Sequence, residues 1–431
     1  LSQAQHYIRT NYGDSDKAYS WIEIPFQGIY QGNGAGPGIW LLVSIPLINM
    51  LKSAGFGFKV TTVISGNEFS FVCYTFVDDS DVVHSRQDND THDDTTTETE
   101  ALVKEMQNAV DTWEGGLRAS GGALVPTKSY WFLIHFVFER NCWRYARLDE
   151  TPGNITIRDI PGTARVELER LDVHEARETL GVFIAMNGNQ EAQTQELWEK
   201  ATAWADKVRS GRFSPAEAWF SIQFCIMKSL EYPLMATSLS KAQCNRIMKP
   251  IRAAGLPALG INCHLTLEVV HGPKQYQGVG ITDLWTIQGI LKLWMAIQHG
   301  DALTITGHQL RASMELHTIE IGMHGQLLQQ DYNLFGQLAT NSWLKHLWEF
   351  CDDSDIQLRS TKPVLTLART EDTFLMSTCA AFGYGKTQLK QLNLGQLFCH
   401  ALRISDITTG DRRLIHSKSA NGKATEWAIT E

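Results

Sequence analysis

The sequence predicts an α+β protein, with strands and two helices mixed as far as about residue 165 and a mainly helical remainder. In the first part, short runs of aromatic and β-branched residues alternate with glycine-rich turns, which is typical of strands. After about residue 190, apolar residues recur at helical spacing. A chain of 431 residues is long enough for two or three such domains.

Composition sets outer limits on the function. Hydrophobic residues make up 43% of the chain and charged residues 20%, as in ordinary globular proteins. No apolar run could span a bilayer and no signal peptide begins the chain, so we expect an intracellular protein, nuclear or cytoplasmic, with no membrane partner. The eight cysteines lie far apart, which argues against a zinc module or a disulfide framework. The net charge of -9 counts against nonspecific nucleic-acid binding by the whole surface, although it leaves room for a local basic groove.

Helical spacing predicts the first two helices. One follows Pro37 over residues 39–50, with a kink at Pro46. The other begins near Glu98 and carries an apolar stripe as far as Leu117. The remaining predictions for this part are a turn at residues 121–122 and strands at 124–125 and 130–138.

The helical remainder carries clear start signals. Ser214-Pro-Ala-Glu217 combines an N-cap serine, a proline at the first helical position and a reciprocal glutamate. Ser240-Lys-Ala-Gln243 repeats this pattern, and Gly255 is the predicted C-cap of the helix that it begins. Upstream of both, an apolar stripe through residues 197, 201, 204 and 208 predicts another helix.

Two adjacent carboxylates, Asp78 and Asp79, separate two runs of β-formers within Phe69–Val83. This arrangement predicts a strand, a tight acidic turn and a returning strand. Paired aspartates can hold hard divalent cations, and two such cations can support phosphoryl transfer. The alternative is an acidic turn in an ordinary hairpin.

Residues on either side of the acidic turn suit a phosphate ligand. Upstream, the glycine-rich segment Gln27–Pro37 precedes a predicted helix, so its backbone could approach phosphate groups, while Gln31 could hydrogen-bond a sugar or a base. Downstream, Lys128 follows a second glycine-rich turn and could protonate a pyrophosphate leaving group. A plain turn and a solvent-exposed lysine are the alternatives.

The order of these segments resembles the palm of reverse transcriptases. Gln31-Gly32 with Gly36-Pro37 resembles motif B, and Phe76-Val-Asp-Asp79 resembles the catalytic motif C. Gly122 to Lys128 resembles motif D, and Tyr130 to Phe136 resembles motif E, the primer grip. Further on, Thr179-Leu-Gly-Val182 is similar to the start of the thumb in elements without long terminal repeats.

This resemblance implies an RNA-directed DNA polymerase of a mobile element, acting by two-metal nucleotidyl transfer. Its cofactor would be Mg²⁺ or Mn²⁺, and its partners an RNA template, a DNA primer and deoxyribonucleoside triphosphates. The implied domains are a partial right-hand palm with motifs B to E at 1–165, a helical thumb at 166–260 and a mainly helical C-terminal extension at 261–431, to which the resemblance gives no role.

The same resemblance implies roles for individual residues. Asp78 and Asp79 would hold the metal, and together with Lys128 they would be catalytic. The implied nucleotide-binding residues are Gln31, Gly32, Asn33, Pro37 and Phe76. The implied primer grip is Tyr130, Trp131 and Phe132, for which a place in the protein core is the alternative. Four basic residues of the thumb would contact nucleic acid: Lys241, Arg246, Lys249 and Arg252. The alternative is that they form a solvated helix face.

One expected part is missing. Motif A, which supplies a further metal-binding aspartate, should precede motif B by several tens of residues, and Asp14 and Asp16 lie too near it and outside any apolar strand. We therefore expect a fragment that lacks motif A and the fingers and is inactive alone. A nucleic-acid-binding remnant of such a polymerase is one alternative. An RNA-dependent RNA polymerase is another, although the Gln-Gly loop and the aromatic strand argue against it.

Three other patterns look functional but predict no site. Phe350-Cys-Asp-Asp-Ser-Asp355 repeats the acidic turn after an apparently helical stretch, so we expect a turn that ends a helix. Gly383-Tyr-Gly-Lys-Thr387 lacks the first glycine of a phosphate-binding loop. His308, His317 and His324 do not have metal-ligand spacing and should be satisfied by protein groups.

Overall fold

The computed structural model is a mixed α+β protein in which every described sheet has two strands. The structure describes residues 5–7, 9–10, 13–14, 16–17, 19–20, 36–76, 79–86, 95–140, 142–323, 325–358, 369–411, 416–418 and 424–426. None of the helices in these ranges is long and apolar enough to cross a membrane.

The helices are α1 Gly36–Ser53, α2 Thr95–Ala119, α3 Glu191–Ser210, α4 Pro215–Phe220, α5 Met227–Glu231, α6 Lys241–Ala258, α7 Leu267–His271, α8 Leu284–His299, α9 Ile305–Ile321, α10 Tyr332–Phe335, α11 Trp343–Asp353, α12 Leu375–Ala381, α13 Lys386–Cys399 and α14 Ile404–Ile407. The strands are β1 Gln5–His6, β2 Arg9–Thr10, β3 Gly13–Asp14, β4 Tyr19–Ser20, β5 Phe58–Thr61, β6 Glu68–Phe71, β7 Cys73–Phe76, β8 Asp79–Val82, β9 Tyr130–Phe132, β10 Phe136–Glu139, β11 Cys142–Tyr145, β12 Thr156–Arg158, β13 Arg165–Glu167, β14 Glu169–Leu171, β15 Ala176–Thr179, β16 Val182–Ala185, β17 His416–Lys418 and β18 Ala424–Glu426.

The chain divides into two compact units. Unit 1 contains Leu1–Val60 and Ser70–Val173, and unit 2 contains Thr61–Phe69 and His174–Glu431. Unit 1 holds both predicted helices of the first part together with most of the strands, and unit 2 is mainly helical.

In unit 1, α1 and α2 pack together around a small apolar core, and both helices were predicted. Pro46 lies inside α1, as expected. Gly116 of α2 allows this close packing, because an added Cβ would lie 2.5 Å from Leu47 and 2.6 Å from Met50. Gly116 therefore serves the close packing of the two helices.

The strand predictions after α2 were only partly right. Residues 124–125 do not form a strand but lead into a 3-10 helix, Pro126–Lys128, since Pro126 has no N–H to give to a ladder. The predicted strand 130–138 is interrupted, with β9 and β10 on either side of the break. Strand β9 pairs in parallel with β14, a partner far along the chain that local sequence does not indicate.

In unit 2, the predicted helix starts are confirmed. Ser214 accepts a hydrogen bond from Glu217 N and Ser240 from Gln243 N, each within a complete capping box. The prediction that Gly255 caps α6 was wrong, because the helix continues to Ala258. Gly255 is buried, and an added Cβ would lie 2.9 Å from Ile222, so this glycine serves close helix packing.

Four strands, β13 to β16, occupy residues 165–185, ahead of the first long helix of unit 2. Leu180 and Gly181, at the predicted start of the thumb, form the left-handed turn between β15 and β16, with φ of 51° and 78°. The Tyr232 hydroxyl donates to Leu180 O at 2.8 Å and fixes this turn against a later helix of the same unit.

Candidate functional site

The two strands predicted around the acidic pair are present and antiparallel. Strands β7 and β8 pair with Phe76 opposite Asp79 and Tyr74 opposite Asp81. Asp79 is the first residue of β8, and both Asp79 and Phe76 are exposed. Val77 and Asp78 lie outside the described residues. The predicted strand and returning strand are therefore confirmed, and Asp79 is exposed at the start of the returning strand.

A third carboxylate, Asp81, belongs to the same hairpin and was not singled out from the sequence. Residues two apart in a strand point to the same face, so Asp81 lies on the face of Asp79. The side chain of Asp81 is exposed, yet the surrounding chain removes part of its solvation and raises its pKa, with a smaller contribution from the charge of Asp79. Strand alternation was the signal that could have identified it. Within the ranges that the structure describes, no group of three or more potential ligands is close enough to hold a metal ion.

The residues suggested for the nucleotide are only partly described. Gln31, Gly32 and Asn33 lie outside the described residues. Pro37 occupies the first turn of α1 and is exposed, and no acidic residue shares that turn. The glycine-rich segment therefore leads into the N-terminus of an 18-residue helix, where partial positive charge favours an anion.

Lys128 is the last residue of the 3-10 helix in front of β9, and its side chain is exposed. Among the described residues, it forms no side-chain hydrogen bond or ion pair. It is therefore available to an external anion, and no contact within the described part of the chain joins it to Asp79.

The two faces of β9, the suggested primer-grip strand, differ in their exposure to solvent. Trp131 is 7% exposed and packs in the core of unit 1 against Ile155 and Ile157. The guanidinium of Arg170 covers the Trp131 ring at 4.9 Å and is held by Thr151. Trp131 is thus a core residue, and the half-buried neighbours on the other face of β9, Tyr130 and Phe132, are the residues of this strand closer to solvent.

A surface of exposed aromatic residues lies just beyond β9, on strands β10 and β11. Two cross-strand pairs share one face of this hairpin: Phe136 with Tyr145 at 4.8 Å between ring centroids, and Phe138 with Trp143 at 5.1 Å. We call these four residues the aromatic ribbon. Trp143 is 70% exposed, and both phenylalanines are also exposed. The aromatic residues of β10 fall within the predicted strand 130–138, whereas no strand is predicted from the sequence over β11.

Ion pairs stabilise the other face of this hairpin. Arg144 donates to Glu139 at 2.7 Å and to both carboxylate oxygens of Glu150 at 2.6 and 2.7 Å. Hydrogen bonds from Arg144 and from the backbone of Arg147 lower the pKa of Glu150 to about 2. This network fixes the hairpin while its aromatic face remains exposed.

The basic residues of α6 are mostly engaged within unit 2. Lys241 pairs with Asp353, and Arg246 donates to Glu191 at 3.0 Å and to Gln195 at 2.8 Å. Arg252 is half-buried, and burial lowers its pKa against the opposing influence of Asp283. Of the four, Lys249 alone is exposed with no side-chain partner among the described residues.

The second acidic sequence ends a helix, as predicted. Asp352 accepts hydrogen bonds from Asn333 Nδ2 at 3.0 Å and from Tyr332 N at 3.3 Å, and Asp353 pairs with Lys241. Both carboxylates therefore satisfy protein groups.

Two of the three noted histidines have protein partners, in agreement with the prediction. His308 stacks on Phe69, and His317 is buried with hydrogen bonds to both ring nitrogens. His324 lies outside the described residues.

No protein-family model matches this chain, and no curated protein matches it. Its function must therefore be argued from its own residues.

Proposed function

We propose that the chain carries part of the nucleotidyl-transfer centre of an RNA-directed DNA polymerase from a mobile element. Residues 1–165 would be a partial right-hand palm and 166–260 its thumb. The observation that carries the proposal is the β7–β8 hairpin, with Asp79 exposed at the start of its returning strand. The glycine-rich entry into α1 and the exposed Lys128 flank this hairpin in the sequence and support the proposal.

In this proposal, each group has a defined task. The carboxylates of Asp78 and Asp79 would hold Mg²⁺ or Mn²⁺, which activates the primer hydroxyl and neutralises charge on the phosphates. Gln31 and the N-terminus of α1 would orient the deoxyribonucleoside triphosphate. Lys128 would give a proton to the pyrophosphate oxygen as it leaves.

The aromatic ribbon supports a nucleic-acid partner. Exposed aromatic rings are costly on a monomer surface, and bases can stack on them whatever their sequence. Arg140, which follows β10, is exposed, and its guanidinium lies 3.8 Å from the carboxylate of Glu139. A single-stranded template or primer end is the ligand that such a surface would accommodate.

A second candidate is a remnant that binds nucleic acid without copying it. The motif A aspartate that the resemblance calls for is missing from the sequence, which favours this alternative. The net charge of -9 also implies that any nucleic-acid contact is local.

A template-copying assay tests both candidates. The 431-residue chain is incubated with an RNA template, a DNA primer, Mg²⁺ and either deoxyribonucleotides or ribonucleotides, alongside Asp78→Asn. We expect little extension by this chain, restricted to deoxyribonucleotides and abolished by Asp78→Asn. Salt-dependent binding without any extension favours the remnant. Extension that Asp78→Asn leaves unchanged, or a preference for ribonucleotides, contradicts the polymerase proposed here.

A further inference from the structure

Three side chains of unit 2 form a hydrogen-bonded relay between the end of α9 and the start of α11. His317 is 3% exposed and lies between Glu320 and Ser342. Its Nδ1 is 2.5 Å from Glu320 Oε2, and its Nε2 is 2.7 Å from Ser342 Oγ. A hydroxyl, an imidazole and a carboxylate in this order can activate an oxygen nucleophile.

The surrounding hydrogen bonds fix the direction of the relay. Thr340 donates to Glu320 through its hydroxyl at 2.6 Å and its backbone N–H at 3.2 Å, so the carboxylate is held as an acceptor. Burial alone would raise the pKa of Glu320, but hydrogen bonds from His317 and Thr340 outweigh burial and lower it. An ionised Glu320 accepts the Nδ1 proton of His317, which leaves Nε2 to accept the Ser342 hydroxyl.

Helix capping alone does not explain this arrangement. Ser342 is the N-cap of α11 and accepts from Lys345 N at 3.0 Å. Ser214 and Ser240 cap their helices with a partner from their own first turn and without a histidine. Desolvation of the buried imidazole and the partly buried carboxylate costs free energy, and the caps at Ser214 and Ser240 form without such groups.

The serine end of the relay reaches solvent, as does part of the Glu320 side chain. Ser342 is partly exposed and follows the exposed residues Thr340 and Asn341. The first N–H groups of a helix have no intrahelical partner, so Trp343 and Leu344 offer donors for a developing oxyanion at the same helix end.

We propose that Ser342, His317 and Glu320 form a hydrolytic site for small carboxylic esters, separate from the acidic hairpin. Ser342 Oγ attacks the ester carbonyl carbon while its proton passes to His317 Nε2. The bond from the acyl carbon to the alkoxy oxygen breaks, and that oxygen takes the proton from His317 and leaves as the alcohol. Water, deprotonated by His317, then attacks the acyl-serine, which releases the carboxylic acid and returns the proton to Ser342. Glu320 stays ionised and orients the imidazole throughout.

A fluorophosphonate probe tests the proposal directly. It phosphonylates an activated serine with loss of fluoride, and peptide mass spectrometry identifies the modified residue. We expect labelling of the folded wild-type chain at Ser342 and a reduction of about a hundredfold or more in His317→Gln, which lacks the base. Absence of labelling at Ser342 in the wild-type chain overturns the proposal, whatever the variants do.

Matched variants distinguish the proposed role of Ser342 as a nucleophile from its role as the N-cap of α11. Ser342→Asn keeps a good N-cap residue but removes the hydroxyl, and should abolish labelling and hydrolysis of p-nitrophenyl acetate. Ser240→Asn makes the same change at a cap serine without a histidine, and should leave both unchanged. Labelling at Ser342 that persists at the wild-type rate in His317→Gln also overturns the proposal, because the relay would then play no part.

Discussion

At the scale of single residues, Lys292 is the most unusual group of unit 2. It is 1% exposed, and its Nζ donates to Ser238 Oγ at 2.9 Å and to Trp343 O at 3.4 Å. Burial lowers its pKa to about 7, with Cys244 and Glu349 opposing the shift. A group with this pKa ties the stability of the helical unit to pH.

We predict that Lys292→Met removes a rise in stability with pH. The pKa of an unfolded lysine is about 10.4, so above pH 7 the unfolded chain binds more protons than the folded one. The free energy of unfolding should therefore rise between pH 7 and 8.5, by up to about 1 kcal/mol per pH unit. Urea unfolding at several pH values measures this slope. Lys292→Met should reduce this slope, whereas Lys249→Met, a change at an exposed position, should leave it unchanged. Equal slopes in the wild type and both variants would contradict the lowered pKa of Lys292.

Gly255 shows how a glycine can mislead a sequence-based prediction. We predict that Gly255→Ala destabilises the protein by about 1–3 kcal/mol, because the new methyl group would crowd Ile222 and Trp204. Gly395 of α13 is the matched control, since an added Cβ there meets nothing within 4 Å. Gly395→Ala should stabilise the protein by about 0.5–1 kcal/mol through helix propensity. Thermal unfolding of both variants measures these changes. Shifts of the same sign in the two melting temperatures would contradict the packing argument.

At the scale of elements, the aromatic ribbon is the feature with the clearest functional consequence. We predict that Trp143→Ala weakens binding of a single-stranded oligonucleotide by roughly fivefold to a hundredfold, the range for loss of one stacked base. Because Trp143 is largely exposed, the free energy of unfolding should change little. Fluorescence anisotropy of a labelled oligonucleotide measures the affinity. Ile160→Ala, at another exposed apolar position of unit 1, is the control and should bind like the wild type.

Elements specified by local sequence were predicted well. The capping boxes at Ser214 and Ser240 and the β7–β8 hairpin depend on residues within a few positions of one another. The parallel pairing of β9 with β14 and the burial of Trp131 beneath Arg170 depend on contacts across about forty residues. Local sequence favoured a core position for this aromatic strand, but it could not show that Trp131 is the buried residue and that Tyr130 and Phe132 lie closer to solvent.

At the scale of the whole molecule, the chain has a net charge of -9, and most of the suggested cations of α6 are engaged internally. Binding of nucleic acid would therefore depend on base stacking and on a few cations that have no partner among the described residues, such as Lys128 and Lys249. It would not depend on a basic surface. The sequence could predict only the part of the candidate site that lies in one contiguous motif. The two strands of the β7–β8 hairpin were predicted from the sequence, whereas the aromatic ribbon required the strand pairing of β10 and β11.

Binding of Mn²⁺ to the 431-residue chain, followed by electron paramagnetic resonance, tests the central claim most directly. The Asp78→Asn/Asp79→Asn variant should lose at least tenfold in Mn²⁺ affinity, because it removes the charged oxygen ligands of the proposed site. Asp352→Asn/Asp353→Asn makes the same change in the same sequence pattern, where both carboxylates already satisfy protein groups, and should bind Mn²⁺ like the wild type. Wild-type affinity in the Asp78→Asn/Asp79→Asn variant would contradict the proposal that this hairpin is a metal-dependent polymerase centre.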